Sequence, residues 1–210
     1  MSQFSRRLGS EGRKGTPADL LVVGLGNPGD QFEGTRHNIG ADVVRLLASR
    51  NGRALKRTKS RALAAGVVIA EKRVVLAFPQ TFMNNSGESV RLLTRSSGIQ
   101  EPEHIVVVHD ELDLDAGRLR LKAGGGLAGH NGLRSITNHL GTTEYVRLRI
   151  GVGRPPATQN GSEWVLRRPG KADQKLLSDA TQRAADAVEL LIANGIDSAM
   201  AVVNRRKSES

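Results

Sequence analysis

The sequence predicts a three-layer α/β/α protein in which a single mixed β-sheet is flanked by helices. The first observation behind this prediction is that short apolar runs alternate with segments of helical periodicity along the chain. The second is that residues 105–108 are apolar throughout, as a central strand covered on both faces would be. A sheet covered on both faces needs a helical layer on each side.

The first half of the chain predicts three strands and a helix. Residues 20–24 form a short apolar strand, and the sequence Gly-Asn-Pro-Gly soon after it breaks that strand. Apolar residues at helical spacing predict a helix over residues 38–50, with a glycine two residues later as its stop. Two β-rich runs, residues 63–70 and 74–78, flank a charged turn at residues 71–73 and predict a hairpin.

The middle of the chain adds a helix and a second pair of strands. A helix is expected near residues 88–96, with Ser86 just before it as a capping residue. Residues 118–122 alternate charged and apolar side chains, and only seven residues separate them from Asp110. Because seven residues are too few for a crossover helix, this strand and the strand at 105–108 are expected to be antiparallel neighbours.

The last third of the chain predicts one strand and three helices. A glycine-rich run at residues 124–132 opens a helix that ends near residue 140. Residues 145–152 form the last strand, with its apolar side chains on one face. A long helix is expected near residues 172–194, followed by a shorter one that ends near residue 204.

The composition is that of one domain with basic ends. The 210 residues carry 38% hydrophobic side chains, which is enough for a single core. The formal net charge of +10 makes an anionic partner worth considering. Part of that charge lies in a leader at residues 1–18 and a tail at residues 205–210, which leaves the domain at residues 19–204. Both ends are expected to be disordered and to add non-specific attraction to RNA at low salt.

Several classes of protein are excluded by what the sequence lacks. It has no cysteine, which excludes disulfides, zinc–thiolate sites and cysteine nucleophiles. No window approaches the roughly 18 to 20 apolar residues of a membrane span, and there is no secretory signal, so a cytoplasmic protein without membrane contact is expected. Four Phe, one Tyr and one Trp do not supply a base-stacking platform, so phosphate contacts should dominate any binding of nucleic acid.

Three polar residues follow predicted strands. Asn27 comes after the first strand, Asn84 after the strand that ends at Phe78, and Asp110 after the strand at residues 105–108. In open α/β sheets the carboxyl ends of the strands form the ligand crevice. Two neutral amides and one carboxylate are therefore expected to share a single cleft.

Residues 24–29 match the dinucleotide fingerprint G-x-G-x-x-G and follow a strand. A dinucleotide site also needs a helix that begins within this loop and an acidic residue that ends the next strand about 20 residues later. Pro28 and the irregular residues 31–36 delay the helix, and the next predicted strand ends far too late. A dinucleotide-binding oxidoreductase is therefore a remote alternative.

The acidic stretch at residues 109–115 superficially resembles a metal-binding loop. A calcium loop that started at Glu111 would have Ala116 where glycine is required and Lys122 where a bidentate glutamate belongs. We interpret three of its carboxylates as a solvated acidic turn: Glu111, Asp113 and Asp115.

The sequence lacks the nucleophile elbow G-x-S-x-G, which argues against a covalent serine mechanism. What remains for a hydrolase is a histidine with a carboxylate partner and water as the nucleophile. The chain has five histidines, and residue type alone does not single out one of them as a base.

Five short motifs occur in a fixed order. They are Gly-Leu-Gly-Asn-Pro-Gly at 24–29, Thr-Arg-His-Asn at 35–38, Thr-Phe-Met-Asn at 81–84, His-Asp-Glu-Leu-Asp at 109–113 and Gly-His-Asn-Gly at 129–132. Together they make the chain, over about residues 20–200, closely resemble the bacterial peptidyl-tRNA hydrolases. The resemblance implies one α/β/α domain, monomeric and without a metal or organic cofactor, that cleaves the ester joining a peptide to tRNA.

The resemblance also implies roles for individual residues. His37 is the general base and Asp110 is the carboxylate that orients it. Asn27 and Asn84 line the cleft near the scissile carbonyl, and Asn131 holds the attacking water or the substrate backbone. This division is chemically sensible, because a carboxylate fixes the imidazole tautomer while amide N–H groups stabilise an oxyanion without titrating.

Further positions match the substrate side of the family. Lys122 and Arg149 match the residues that clamp the 5′ phosphate and the acceptor end of the tRNA, and Met83 lies in the groove for the peptide. The alternative interpretation of the predicted strand at residues 145–152 is that Arg147 and Arg149 have no role in tRNA binding and simply alternate with Leu148 on a half-exposed surface.

Two departures from the family pattern affect the substrate side and the loop. Phe32 takes a substrate-binding position where the family often has tyrosine, and Leu127 replaces a second histidine in the glycine-rich loop. We expect both to tune activity rather than abolish it. The alternative function is that of a non-catalytic RNA-binding relative, but the presence of both His37 and Asp110 argues against it, since phosphate binding needs neither.

Overall fold

The computed structural model describes residues 16–205, so nearly all of the predicted leader and tail lie outside the described residues. The strands are β1 (Leu20–Gly24), β2 (Lys56–Arg57), β3 (Ala62–Ile69), β4 (Lys72–Pro79), β5 (Ile105–Glu111), β6 (Leu119–Ala123) and β7 (Val146–Gly151). The α-helices are α1 (Ile39–Arg50), α2 (Ser86–Ser97), α3 (Asn131–Leu140), α4 (Gly161–Val165), α5 (Lys171–Asn194) and α6 (Ile196–Val203). Among them, no helix is both long and apolar enough to cross a membrane.

The strands form one sheet in the order β2-β3-β4-β1-β5-β7-β6. The four central strands, β4, β1, β5 and β7, run parallel to one another. The outer strands β3 and β6 are antiparallel to their inner neighbours, and β2 is antiparallel to β3. The predicted mixed sheet is therefore confirmed.

Helices cover both faces of this sheet and complete the predicted three layers. Val22 points to a core that includes α1, α5 and α6, whereas Leu21 and Val23 on the same strand point to a core formed with α2 and α3. This alternation follows from the two-residue period of a strand. Because both faces are covered, β1 and β5 carry no polar side chain until β5 reaches the carboxyl edge of the sheet at His109.

The prediction that the strands at residues 105–108 and 118–122 are neighbours was wrong. They do run in opposite directions, but β7 lies between them and pairs with both. The connection crosses the end of β7, where the N–H of Gly117 donates to the carbonyl of Gly151 over 2.9 Å. Two strand spacings are only about 10 Å, which seven residues span easily. A short connection therefore excludes a crossover helix but does not exclude an intervening strand.

Smaller differences concern turns and helix starts. The hairpin between β3 and β4 turns at Ala70 and Glu71, both with positive φ, rather than at residues 71–73. Helix α2 begins at Ser86, which does not act as a capping residue, because its hydroxyl donates to the carbonyl of Met83. The short elements β2 and α4 have no clear sequence signal, because two to five residues carry too little periodicity.

Two glycines let α1 cross the centre of the sheet at backbone contact. A Cβ on Gly24 would lie 2.0 Å from the carbonyl oxygen of Gly40, and a Cβ on Gly40 would lie 2.2 Å from the carbonyl oxygen of Val108. The N–H of Ala41 in the first turn of α1 donates to the carbonyl of Leu25 over 3.0 Å. The glycines of the fingerprint thus serve close packing, and this N–H already has a protein acceptor rather than a phosphate.

Candidate active site

A cavity of about 410 Å³ opens at the carboxyl ends of the central strands. The structure brings together around it most of the residues that the sequence singled out. These are Asn27, His37, Met83, Asn84, Asp110 and Asn131. The expectation that two amides and a carboxylate share one cleft is thus met by the geometry, since β1, β4 and β5 are adjacent and parallel.

His37 and Asp110 are in direct contact in this cavity. The imidazole Nδ1 lies 2.9 Å from Oδ1 and 3.0 Å from Oδ2 of the carboxylate, although the two residues are 73 positions apart. His37 sits on a 3₁₀ turn, Arg36–Asn38, that leads into α1, and Asp110 is the penultimate residue of β5. A carboxylate accepts, so Nδ1 carries the proton and Nε2 carries the lone pair. That is the tautomer that a general base requires.

The environment moves the pKa values of this pair in opposite directions. Burial by itself lowers the pKa of His37, but the charge of Asp110 and its hydrogen bond outweigh burial and raise that pKa above the ordinary value. Burial alone would raise the pKa of Asp110, yet His37 and His130 hold it well below the usual range. The carboxylate therefore stays ionised and stabilises a proton on the imidazole.

Asn27 is oriented so that its amide N–H groups stay available. Its backbone is tied to the side chain of Asn38, which accepts from the N–H of Asn27 over 2.8 Å and donates to its carbonyl over 2.9 Å. The side-chain oxygen of Asn27 accepts from the N–H of Met83 over 2.7 Å. Because a backbone N–H can only donate, the amide oxygen faces Met83 and the amide nitrogen is left as a donor.

The other amides and the apolar wall come from two helix starts. Asn84 lies in the 3₁₀ turn Met83–Asn85 before α2, and Asn131 is the first residue of α3; both are exposed. Met83 is buried and lines the cavity. Phe82 also lines it, with 58% of its surface exposed, and sequence reasoning did not identify it.

Three predicted substrate residues do not line the cavity. Phe32 lies on the turn Asp30–Phe32 and reaches the rim through an edge-to-face contact with Phe82, with ring centroids 6.4 Å apart. Lys122 on β6 is exposed. Arg149 on β7 is partly exposed and is paired with Glu111, its Nε lying 2.9 Å from Oε2.

Two interpretations of charged residues were wrong. Glu111 is not part of a solvated turn; it is the buried last residue of β5 and lines the cavity, whereas Asp113 and Asp115 are exposed as expected. Arg147 does not alternate on a half-exposed surface. It is 3% exposed, and its guanidinium donates to the carbonyls of Gly124 and Gly126 in the glycine-rich loop.

Sequence reasoning assigned no role to His130, although it lies in a quoted motif. Its Nε2 is 3.1 Å from Oδ1 of Asp110, and its Nδ1 is the capping acceptor of α3. The one available signal for a role of His130 was its place directly before a predicted helix, at a capping position that no other residue marks. The contact with Asp110 depends on tertiary structure, which no local pattern reports.

This fold and site define a class of protein: an α/β enzyme with an imidazole–carboxylate pair and amide donors at the carboxyl edge of its sheet. These are the catalytic groups of a hydrolase that uses water as its nucleophile. The family model described as peptidyl-tRNA hydrolase matches residues 21–210. The chain belongs to the peptidyl-tRNA hydrolase family.

Individual relatives agree with this assignment. The chain is 47% identical over 186 residues to a peptidyl-tRNA hydrolase of Mycolicibacterium vanbaalenii, covering 88% of this chain and 96% of the relative. It is 50% identical over 182 residues to that of Moorella thermoacetica, covering 86% and 95%. The crystal structure of peptidyl-tRNA hydrolase from Acinetobacter baumannii superimposes with a TM-score of 0.84 at 39% identity, covering 92% of this chain and 98% of that one.

Proposed function

We propose that this chain hydrolyses the ester bond of peptidyl-tRNA, releasing free tRNA and peptide, with His37 as the general base that activates water. The observation that carries the proposal is the contact of 2.9 Å between His37 Nδ1 and Asp110 in a cavity lined by amides. Membership of the peptidyl-tRNA hydrolase family supplies the substrate class.

The reaction needs one proton to move twice. Nε2 of His37 takes a proton from water as the oxygen attacks the acyl carbon, and Asp110 stabilises the imidazolium that forms. The resulting oxyanion accepts from amide N–H groups of Asn27 and Asn84. When the tetrahedral intermediate collapses, the C–O bond to the terminal ribose breaks and the imidazolium returns its proton to that oxygen. Water and ester thus become a carboxylic acid and an alcohol.

The amount by which each of these groups lowers the activation barrier follows from its chemistry. A positioned base typically contributes about 10²–10⁴-fold, or roughly 3 to 5 kcal/mol of barrier. An oxyanion donor contributes about 2.7–4 kcal/mol. The remainder comes from orientation of the water, which we assign to Asn131, and of the ester.

The substrate extends away from the scissile bond on two sides. We assign Met83, with Phe82 and Phe32 at the rim, to the peptide side. We assign Lys122 and Arg149 to the 5′ phosphate and acceptor stem of the tRNA. Because Arg149 is paired with Glu111, a phosphate there would share the guanidinium with that carboxylate. Of these two residues, Lys122 with its exposed side chain should therefore contribute more to the salt dependence of tRNA binding than Arg149.

The central test is turnover of N-blocked aminoacyl-tRNA beside the unblocked form by the intact protein. The protein should hydrolyse the blocked substrate selectively, and His37→Ala should reduce turnover by about 10²–10⁴-fold with nearly unchanged tRNA affinity. His104→Ala, which removes an exposed histidine, is the matched control and should leave turnover at the level of the unmodified protein. Turnover that survives in His37→Ala would rule out His37 as the base.

We further propose that the protein works as a monomer in the cytoplasm without a metal or organic cofactor, and that residues 1–18 and 205–210 lie outside the catalytic domain. Light scattering on the protein as it elutes from a size-exclusion column should give the mass of one chain, 22.5 kDa. Turnover should survive dialysis against a chelator if the RNA is supplied already folded. A protein lacking both ends should keep its turnover while it loses part of its tRNA affinity at low salt.

A further inference from the structure

His130 has both ring nitrogens engaged, and the partners of these nitrogens determine its tautomer. The N–H groups of Gly132 and Leu133, in the first turn of α3, point at Nδ1 over 3.1 and 3.4 Å. Backbone N–H groups can only donate, so Nδ1 carries the lone pair and the proton of the neutral ring lies on Nε2. Nε2 is 3.1 Å from Oδ1 of Asp110, and His130 therefore donates to that carboxylate.

His130 contacts one of the two oxygens of Asp110 that His37 also contacts. Oδ1 of Asp110 is 2.9 Å from His37 Nδ1 and 3.1 Å from His130 Nε2, and the carboxylate is 3% exposed. The two imidazole rings lie side by side with centroids 5.2 Å apart. Two donors thus share one buried carboxylate, and each reduces the negative charge that is available to the other.

The same three side chains have the composition of a two-histidine, one-carboxylate metal site, with ligand atoms within 4.8 Å of one another. The hydrogen bonds argue against that use. A metal ion on Nε2 of His130 would force the ring proton onto Nδ1, where it would face the N–H groups of α3. The cap of α3 therefore favours His130 as a hydrogen-bond donor rather than as a ligand.

We propose that His130 is a positioning residue for His37: held as the Nε2–H tautomer by the start of α3, it donates to Asp110 and limits how strongly that carboxylate retains a proton on His37. This proposal rests on the proposed function of His37 as base. A base held too tightly by its carboxylate would be protonated near neutral pH and could not accept a proton from water. Sharing Asp110 keeps more of His37 in the neutral form.

The other charged groups near this pair are already engaged. His109 lies edge-on to His130, with ring centroids 5.0 Å apart, and its Nδ1 is 2.7 Å from the carbonyl of Asp110. From β5 and β7 the remaining charged groups are Glu111, Arg147 and Arg149. Glu111 pairs with Arg149, and Arg147 donates to the glycine-rich loop. None of these four side chains has a hydrogen bond to the carboxylate of Asp110, whose partners among the described residues are His37 and His130.

Two substitutions separate the two functions of the His130 ring. In His130→Asn the amide oxygen stands where Nδ1 stood and can still cap α3, but no donor reaches Asp110. In His130→Gln the amide nitrogen stands where Nε2 stood and can still donate to Asp110, but the cap is weakened. The first variant should therefore change the protonation of His37, and the second should mainly change the stability of α3.

The experiment is an NMR titration of the His37 ring in both variants, together with the pH profile of kcat/KM on N-blocked aminoacyl-tRNA. His130→Asn should move the His37 midpoint and the acidic limb of the profile to higher pH. Relative kcat/KM on that limb should fall by roughly three- to tenfold, with little change at alkaline pH. His130→Gln should keep the midpoint of the unmodified protein.

Three outcomes distinguish the possibilities. An unchanged or lower His37 midpoint in His130→Asn would overturn the proposal, as would an equal upward shift in His130→Gln. A raised NMR midpoint with an unmoved activity profile would support the link between His130 and His37 but contradict the assignment of His37 as the base. Melting curves of both variants identify any loss of folding; His130→Asn keeps the cap of α3 and is expected to stay folded, so its His37 midpoint decides the first question.

Discussion

The chemistry of single residues depends on which hydrogen bonds each side chain has already made. Asn27 has its oxygen committed to the N–H of Met83, and this leaves its amide nitrogen free. His37 has Nδ1 committed to Asp110, and this leaves Nε2 free. In both cases a neighbouring group that can only donate or only accept selects the atom that is presented to substrate.

Replacing Asn27 with aspartate tests this selection at one atom. The oxygen that accepts from Met83 is kept, but the amide donor becomes a second carboxylate oxygen that would repel the oxyanion. We expect kcat to fall by about 10²–10³-fold with little loss of thermal stability. The measurement is single-turnover hydrolysis, with Asn138→Asp on the exposed side of α3 as the matched control. A similar loss in both variants would contradict a specific role for Asn27.

The pH profile tests the pair of His37 and Asp110. Because the pKa of His37 is raised above its ordinary value of 6.5, kcat/KM should already fall on acidification from a pH above 6.5. Asp110→Asn removes the charge that raises this pKa, so the remaining activity should have its acidic limb at lower pH. Its rate should drop by as much as about 10⁴-fold, because the amide no longer fixes the tautomer. An unmoved limb in Asp110→Asn would show that another group titrates.

Whole elements position these atoms through their ends rather than through their centres. His37 precedes α1, Asn84 precedes α2, and His130 caps α3, while Asp110 sits near the end of β5. Helix starts and strand ends meet at one edge of a parallel sheet, and that edge therefore collects the polar groups. The loop before α3 is irregular, so it needs support from outside.

Arg147 supplies that support. Replacing it should make the loop more mobile without removing a group that contacts the substrate. Arg147→Met would keep the buried stem but leave the carbonyls of Gly124 and Gly126 without a donor, at a cost of about 1–3 kcal/mol. We expect faster hydrogen exchange at residues 124–130 and several-fold lower kcat/KM. Arg91→Met, on the exposed face of α2, is the control. Unchanged exchange in the loop would refute this supporting role.

At the scale of the whole molecule, the site lowers the stability of the fold in acid. His109 is fully buried on β5; burial is the main cause that lowers its pKa to about 3, and the charge of Arg147 acts in the same direction. Its Nε2 has no hydrogen-bond partner among the described residues. Below pH 6.5 the unfolded chain binds a proton at this histidine, and the folded chain does not until the pH approaches 3. Stability is therefore lost as the pH falls through this window.

The neighbouring groups act outside that window. Asp110, with its lowered pKa, contributes stability above its ordinary value of 3.8 and loses it only as the pH falls below that value. His37, with its raised pKa, contributes stability that is fully present below 6.5 and is lost as the pH rises through its folded pKa. Of these three groups, His109 alone loses stability as the pH falls between about 6.5 and 4.

His109→Asn removes the titrating ring while its amide can still donate to the carbonyl of Asp110. The free energy of unfolding should fall less steeply with acid than in the unmodified protein, by up to about 1.4 kcal/mol per pH unit. Urea unfolding at several pH values between 7 and 4.5 measures this difference. A cavity left by the smaller side chain would lower stability equally at every pH, so parallel curves would contradict the prediction.

The sequence by itself determined the fold class and six of the sixteen residues that line the cleft. Apolar runs and helical periodicity are local, and so is the rule that polar residues follow the ends of strands; Asn27, Asn84 and Asp110 were placed in one cleft on that basis. Only the tertiary structure decided that β7 separates β5 from β6, that Arg147 is buried, and that His130 shares Asp110 with His37. These features depend on contacts between residues 20 to 73 positions apart, and such contacts leave no periodic trace in the chain.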